Sequence, residues 1–133
     1  MEDKTEQIDF YVKEEEGGLS SLYFIMGIEI NGIEWTVVFT ANQENLKRPD
    51  GSITLGVTDL NCRTIFLWVG LRGHMLRKVL IHELSHAHVH SYGFELPLEE
   101  EEFLCGFIDT YSSDILALAE SVLSGDLKEF ENF

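Results

Sequence analysis

Hydrophobic and polar residues alternate along the first part of the chain with the two-residue period of β-strands. The alternation predicts strands over Ile8 to Lys13, Leu22 to Ile30 and Ile33 to Thr40, with an acidic and glycine-rich break from Glu14 to Gly18. Asn31-Gly32 separates the last two strands, and both residues tolerate the positive φ angles of a two-residue hairpin turn. We therefore expect an antiparallel hairpin at this point.

The pattern changes after a polar connection from Ala41 to Gly51. Two further short strands are predicted, over Ile53 to Val57 and Thr64 to Val69. From Arg72 to Ser91 the apolar residues recur every three or four positions, which is the period of an α-helix. Gly93 is placed to end this helix, since glycine readily adopts the left-handed conformation that follows many helices.

A second long helix is expected to begin at Pro97, because proline is favoured at the first helical position. Its apolar period continues to about Leu123, and Ser124-Gly125 follow as a stop. Its apolar face consists of Leu104, Phe107, Ile108, Tyr111, Ile115 and Leu118. Strands thus precede helices, which predicts an α+β fold whose helices cover one face of a small, mainly antiparallel sheet.

The 133 residues are expected to form one domain, spanning 1–133, with a core that needs no disulfide bonds. Cys62 and Cys105 are too few and too far apart for a disulfide framework, and we expect both to be reduced and buried. No apolar run reaches the ~20 residues of a membrane span, and Met1 to Lys4 lacks the features of a signal peptide. These features predict a cytoplasmic protein.

Acidic residues outnumber basic ones by 24 to 9, which gives a formal net charge of −15. Such a surface is repelled by phosphate, and this argues against direct binding to nucleic acid. It attracts basic partners, and DNA-binding proteins are one such class. Solubility is an equally good explanation of the charge, and mimicry of DNA is a third that rests on charge alone.

The segment His82-Glu83-Leu84-Ser85-His86 places two histidines four residues apart within the first predicted helix. A four-residue step returns to nearly the same helix face, so both imidazoles can contact one metal ion. Zinc accepts histidine nitrogens, and such a pair forms half of a tetrahedral site. Glu83 lies ~100° round the helix, where it can act on a water molecule as a general base without being a ligand.

A catalytic zinc site needs a third protein ligand, and the histidines that follow do not supply it. His90 lies ~12 Å from His82 along the helix axis, too far for one ion to bind both. His88 projects ~160° away from His86. Both are therefore expected to be solvated or hydrogen-bonded surface histidines. The acidic run from Glu99 to Glu102 offers carboxylates instead. The same run favours the start of the second helix through the helix dipole, so each glutamate also has a purely structural explanation.

Glu102 and Glu101 are the two candidates for the third ligand. Glu102 resembles the glutamate of the second motif of gluzincins, the thermolysin-like enzymes, although Gly106 stands where that motif has an acid that supports a histidine ligand. Glu101 lies nearer the apolar face of the helix. We favour Glu102 and keep Glu101 as the alternative.

Three segments of the chain resemble small phage- and prophage-associated zincins, which are similar to the ImmA/IrrE-type metallopeptidases. They are Gly56-Val57-Thr58-Asp59, Thr64-Ile65-Phe66-Leu67 and Val79 to Ala87, and residues 102–108 and 111–115 fit the same pattern. The resemblance covers roughly residues 53–116. It implies a zincin-like fold in which a short sheet precedes the helix that carries the HExxH motif, here His82 to His86. In that fold an edge strand, here Thr64 to Val69, binds substrate in extended form.

The resemblance also implies a cytosolic zinc endopeptidase that cleaves repressor-type regulatory proteins of a phage or mobile element. Its implied cofactor is Zn2+, held by His82, His86 and Glu102, with Glu83 as general base. A basic DNA-binding repressor is the implied partner. The alternative is a zincin-fold regulatory binding module whose metal is structural or vestigial. The donor that stabilises the oxyanion is left open among Tyr92, His88 and Tyr111.

Overall fold

Five strands and two long helices form the fold over residues 8–14 and 20–126, the part of the chain that the computed structural model describes. The strands are β1 (Ile8–Glu14), β2 (Ser20–Ile30), β3 (Ile33–Thr40), β4 (Gly56–Asp59) and β5 (Thr64–Trp68). The helices are α1 (Gly73–Ser91) and α2 (Leu98–Ser121), with a 3-10 helix at Gln43–Leu46 and a π-helical turn at Val122–Asp126. The predicted α+β order is confirmed, whereas most of the predicted break at 14–18 lies outside the described residues.

The five strands form one mixed sheet in the order β1-β2-β3-β5-β4. The pairing of β3 with β5 is parallel and the other pairings are antiparallel, so the prediction of a mainly antiparallel sheet is confirmed. The prediction that Thr64 to Val69 forms an edge strand is wrong. The strand in this region, β5, pairs with β3 on one side and β4 on the other, and its Ile65 and Leu67 side chains are fully buried. The strand at this edge of the sheet is β4, and β1 lies at the opposite edge.

The predicted two-residue turn joins β2 to β3. Asn31 and Gly32 have φ angles of 51° and 75°, in the left-handed region that such a turn requires. Asn31 Nδ2 donates a hydrogen bond to the carbonyl oxygen of Ser91 (2.9 Å), and Trp35 Nε1 donates one to Ser91 Oγ (2.7 Å). The hairpin therefore fixes the last residue of α1 to the sheet.

The edge strand β4 begins at Gly56 rather than at the predicted Ile53. Ile53 forms an isolated bridge with Lys47 instead, because the chain here turns back on residues 46–48 through the Arg48 N to Ser52 O and Thr54 N to Leu46 O hydrogen bonds. Gly56 then allows a close approach to α1, since a Cβ atom there would lie 2.7 Å from Val79 Cγ1. The strand thus lies directly against the helix.

The core lies between the sheet and α1. Its buried cluster consists of Ile30, Trp35, Val37, Ile65, Leu67, Leu71 and Ala87. Apolar residues of α1, among them Leu76, Val79 and Leu80, pack against this cluster, which accounts for the helical period seen in the sequence. The helix is followed by the predicted Gly93, which has a φ angle of 77°.

The second helix, α2, packs mainly against α1. Its buried residues are Glu101 and Cys105, whereas Phe107 and Tyr111 on the predicted apolar face are 44% and 50% exposed. The prediction that both helices cover the sheet therefore holds for α1 alone. The face of α2 that meets α1 is the one that carries Glu101 and Cys105.

Both cysteines are free thiols. Cys105 is fully buried, as predicted, but the prediction is wrong for Cys62, which is exposed in the turn between β4 and β5. Within the described ranges, no helix combines the length and the apolarity needed to cross a bilayer.

Candidate metal centre

His82 and His86 lie on one face of α1, as their four-residue spacing requires. The centroids of their imidazole rings are 5.0 Å apart. Glu102 approaches them from the N-terminal part of α2. One donor atom from each of the three residues lies within 4.8 Å of the others, so they form a group that can hold a metal ion. The structure thus brings together the three residues predicted as ligands.

Each carboxylate oxygen of Glu102 faces one imidazole. Oε1 is 3.0 Å from His86 Nε2, and Oε2 is 3.3 Å from His82 Nε2. Ligand atoms about 2.0–2.1 Å from a tetrahedral zinc ion are about 3.3–3.4 Å apart, so these separations suit such an ion. The site is also open, because the side chains of His82 and Glu102 are 21% and 45% exposed.

The opposite nitrogen of each imidazole contacts a different carboxylate. His82 Nδ1 is 2.7 Å from Asp109 Oδ2, and His86 Nδ1 is 2.5 Å from Glu101 Oε2. In the tautomer with the proton on Nδ1, each ring donates it to its carboxylate, and the lone pair of Nε2 is then directed toward Glu102. Both histidines are therefore oriented as metal ligands are.

Asp109 is a site residue that the sequence analysis missed. The gluzincin pattern places the supporting acid four residues after the glutamate, where this chain has Gly106. Asp109 lies seven residues after Glu102, and a seven-residue step returns to the same helix face, so the spacing was an available signal. Burial works to raise the pKa of Asp109, but hydrogen bonds from Lys78 and His82 hold it below its ordinary value of 3.8.

Glu101, the alternative third ligand, lies behind His86 and outside the ligand group. It is 7% exposed, and its Oε1 atom is 3.1 Å from His90 Nε2. His90 lines the same cavity and contacts Glu101, but it lies outside the ligand group. It was predicted as a surface residue, and its side chain is 33% exposed. The position of Glu101 suits it to orient His86.

Glu83 is 7% exposed and lines the same cavity as the two histidines. The hydroxyl oxygen of Thr58 lies 3.0 Å from Glu83 Oε1 and 3.1 Å from the Glu83 carbonyl oxygen, so its proton is shared between two acceptors. Burial raises the pKa of Glu83, and the neighbouring His82 and the Thr58 hydrogen bond offset this only in part. A carboxylate with a raised pKa is a stronger proton acceptor, which suits a general base.

Cys105 is buried near the centre but does not add a ligand. Burial, together with the charges of Glu101 and Glu102, raises the pKa of the Cys105 thiol to about 12. The group of donor atoms that can hold a metal ion does not include its sulfur.

The centre opens into a cleft of about 670 Å³. Gly56, Val57 and Thr58 of the edge strand β4 line it on one side, and Leu96 and Leu98 line it beside the start of α2. The volume is within the range of pockets that hold small molecules or several peptide side chains. Catalytic candidates and an unpaired strand edge thus face one cavity.

The three residues predicted as oxyanion donors do not line this cleft. His88 Nδ1 contacts the carbonyl oxygen of Leu84 (2.7 Å), and its ring stacks on Tyr92 with centroids 6.3 Å apart. Tyr111 is 50% exposed and contacts Phe107. The structure gives none of the three a place in the centre.

Comparison with protein-family models, with curated proteins and with solved structures gives no match to this chain. The features of the chain that indicate a metal centre are its convergent donor atoms, the carboxylates that contact the outer histidine nitrogens, and the open cleft.

Proposed function

We propose that this protein is a zinc-dependent metallopeptidase that hydrolyses peptide bonds in a regulatory protein. The main observation in support is that His82, His86 and Glu102 converge on one point, with the buried Glu83 in the same open cleft. Two histidines, one carboxylate and an open position make up a common ligand set of catalytic zinc. The resemblance to small phage-associated zincins supports the same assignment.

The charge around the centre also favours a bound cation. Four carboxyl groups lie close enough to Cys105 to raise its pKa, and they belong to Glu101, Glu102, Glu83 and Asp109. Lys78 forms an ion pair with Asp109. A divalent cation between the histidines offsets the mutual repulsion of the remaining carboxylates.

Zinc bound here supplies Lewis acidity toward water and toward the carbonyl group of the scissile peptide. Glu83 accepts a proton from the attacking water and delivers it to the leaving amine. Asp109 and Glu101 hold the Nδ1 atoms of His82 and His86, which keeps both Nε2 atoms directed at the ligand positions.

The edge strand β4 is the proposed site of substrate binding. No other strand pairs with its outer side in the part of the chain that the structure describes. An extended peptide can add to this edge through main-chain hydrogen bonds and pass Thr58 beside Glu83. The net charge of −15 favours a basic substrate, and a cytoplasmic DNA-binding repressor of a phage or mobile element has that property.

The metal content of protein purified without added metal tests the ligand set. We expect stoichiometric zinc in the wild type and its loss in His82→Ala, His86→Ala and Glu102→Gln. Glu99→Gln is a matched control on the same stretch of α2 and should keep its zinc.

The same measurement separates the two glutamates. Glu101→Gln should retain zinc with an affinity lowered by about 10–100-fold, because Glu101 orients His86 without binding the ion. Loss of zinc in Glu101→Gln together with its retention in Glu102→Gln would show that Glu101 is the ligand.

Glu83→Gln separates a peptidase from a binding module. We expect turnover to fall by about 10²–10⁴-fold because the general base is removed, while zinc content stays unchanged. Digestion of a peptide library, followed by mass spectrometry, measures the turnover. A Glu83→Gln protein that keeps its full biological effect would favour the alternative, a zincin-fold regulatory binding module.

A further inference from the structure

The second helix carries an apolar stripe that is exposed along its length. The stripe consists of Leu104, Phe107, Ile108, Tyr111, Ile115, Leu118 and Val122. Steps of three and four residues place these side chains on one helix face. Phe107, Ile115 and Leu118 are 44%, 52% and 67% exposed. A continuous row of large apolar side chains, unlike single exposed ones, marks an interaction surface.

The stripe borders a groove of about 670 Å³ between the two helices. Leu104 and Ile108 line this groove from α2, and Leu84 and Val89 line it from α1. Most of its lining is apolar. Leu96 is the residue that lines both this groove and the metal-centre cleft, so the two cavities are neighbours with different linings. The groove widens the stripe into a surface that can seat an apolar helix face.

The charge of α2 limits what this surface can bind. From Leu98 to Asp126 the chain has no lysine or arginine, and five acidic residues lie outside the metal centre, namely Glu99, Glu100, Asp114, Glu120 and Asp126. A second copy would bring two such helices together, and a charge of −15 on each chain opposes that contact. Helices that lie on membrane surfaces carry Lys and Arg beside their apolar face, so a bilayer is also disfavoured.

We propose that the stripe and groove bind an amphipathic helix of a second protein, one whose apolar face is flanked by Lys and Arg. Glu100 and Asp114 lie four residues before Leu104 and Leu118, so both acids border the stripe and can pair with those flanks. This binding does not require the metal centre. Its outcome is therefore separate from that of the peptidase assignment.

The probe is a synthetic peptide of about 18 residues that contains only leucine and lysine at helical spacing, and as a helix it spans about 27 Å. That length matches the helical rise over the 18 residue steps from Leu104 of α2 to Val122, the first residue of the π-helical turn that follows. We expect the full chain to bind this peptide, measured by fluorescence anisotropy, and to bind it less tightly as salt increases. The same peptide with glutamate in place of lysine should not bind. Equal binding of both peptides would overturn the proposal that the partner helix is basic.

Phe107→Ser tests the stripe, and Leu116→Ser is its matched control. Leu116 is on the same helix, is 63% exposed and lies about 100° round the helix from Ile115, which places it off the stripe. We expect Phe107→Ser to weaken binding of the leucine–lysine peptide by at least about tenfold and Leu116→Ser to leave it unchanged. Leu118→Ser serves as a second stripe variant if Phe107→Ser does not fold. Equal effects of the stripe and control variants would overturn the proposal.

Two other outcomes would reassign the surface. Light scattering that shows a dimer, dissociated by Phe107→Ser, would identify a second copy as the occupant. Binding to vesicles of phosphatidylserine and phosphatidylcholine, lost in Phe107→Ser, would identify a membrane. Either result would overturn the proposal of a basic helix.

Discussion

Thr58 is the residue through which the edge strand β4 holds Glu83. Its hydroxyl lies 3.0 Å from Glu83 Oε1, and this hydrogen bond fixes the direction of the carboxylate. Thr58→Val removes the hydroxyl at nearly constant volume. We expect kcat of the proposed peptidase to fall by about tenfold, with KM and zinc content unchanged.

Thr58→Ser is the control for this prediction, because serine keeps the hydroxyl and loses only a methyl group. A steady-state assay should therefore give a kcat near that of the wild type. Equal losses in the serine and valine variants would mean that side-chain packing matters and that the hydrogen bond does not position Glu83.

Asp109 should give the metal-free protein a pH-dependent stability. Burial opposes ionisation of this carboxyl, but hydrogen bonds from Lys78 and His82 lower its pKa below 3.8. A carboxyl group whose pKa is lower in the folded than in the unfolded state stabilises the fold at pH values above its unfolded-state pKa. This stabilisation is lost as the pH falls through the folded-state pKa. We expect the urea-unfolding free energy to decrease between about pH 5 and about pH 2.

The decrease should be smaller in Asp109→Asn, which has no carboxyl to protonate. Asp114→Asn is the control, because Asp114 is exposed on the same helix and should leave the pH profile like that of the wild type. Parallel pH profiles for Asp109→Asn and the wild type would contradict the role of this ion pair.

Residues related by short spacing could be predicted, and residues brought together by the fold could not. His82, Glu83 and His86 follow from a four-residue step on one helix. Thr58 is 25 residues from Glu83, and only the packing of β4 against α1 brings them into contact. Asp109 could have been predicted, because it lies seven residues after Glu102 on the same helix face. It was missed because the gluzincin pattern places the supporting acid four residues after the glutamate, where this chain has Gly106.

Gly56 governs how closely the edge strand approaches α1. A Cβ atom at this position would lie 2.7 Å from Val79 Cγ1 and 3.0 Å from Glu83 Cγ. We expect Gly56→Ala to push the strand and Glu83 apart, which lowers the free energy of unfolding by about 1–3 kcal/mol and reduces turnover. Urea unfolding and a peptidase assay measure the two effects.

Val79→Ala supplies the missing space, so the double variant should be less unstable than the sum of the single changes. Gly27→Ala is the matched control in another strand, where a Cβ atom would meet nothing within 4 Å. Additive destabilisation in the Gly56 and Val79 pair would mean that the close approach does not set the strand position.

Whether a segment forms a strand or a helix could be predicted, because the period of hydrophobic residues is a local property of the sequence. Which strands lie next to each other in the sheet could not be predicted. Asn31-Gly32 specified its hairpin through turn chemistry alone. Nothing in the spacing of β3, β4 and β5 indicates that β5 lies between the other two, and so the edge strand was misassigned. The apolar period of α2 predicted a helix correctly but not which of its faces would be buried.

The proposed zinc ion joins α2 to the rest of the molecule. α1 is fixed to the sheet through Ser91, whereas α2 packs mainly on α1. An ion that binds only the folded state stabilises it by about 2.7 kcal/mol at a free concentration of 100 times Kd. For a domain of this size we expect EDTA to lower Tm by about 10 °C.

Glu102→Gln should melt at a lower temperature than the wild type and should not respond to EDTA. His88→Ala, which changes a histidine of the same helix that lies outside the ligand group, should respond as the wild type does. Calorimetry with and without the chelator measures both. If EDTA left the wild-type Tm unchanged, metal binding at this site would not contribute to the stability of the fold.

The parallel pairing of β3 with β5 has a consequence for the order in which the molecule folds. The turn between β2 and β3 closes over two residues, but β3 meets β5 only after the 23 residues from 41 to 63 have folded back. Closing the longer loop costs more chain entropy and makes this step slower. Strand β4 depends on β5, so Thr58 reaches Glu83 only after that step. A newly made chain therefore gains its cleft late, and the proposed hydrolytic activity arises only in the completed fold.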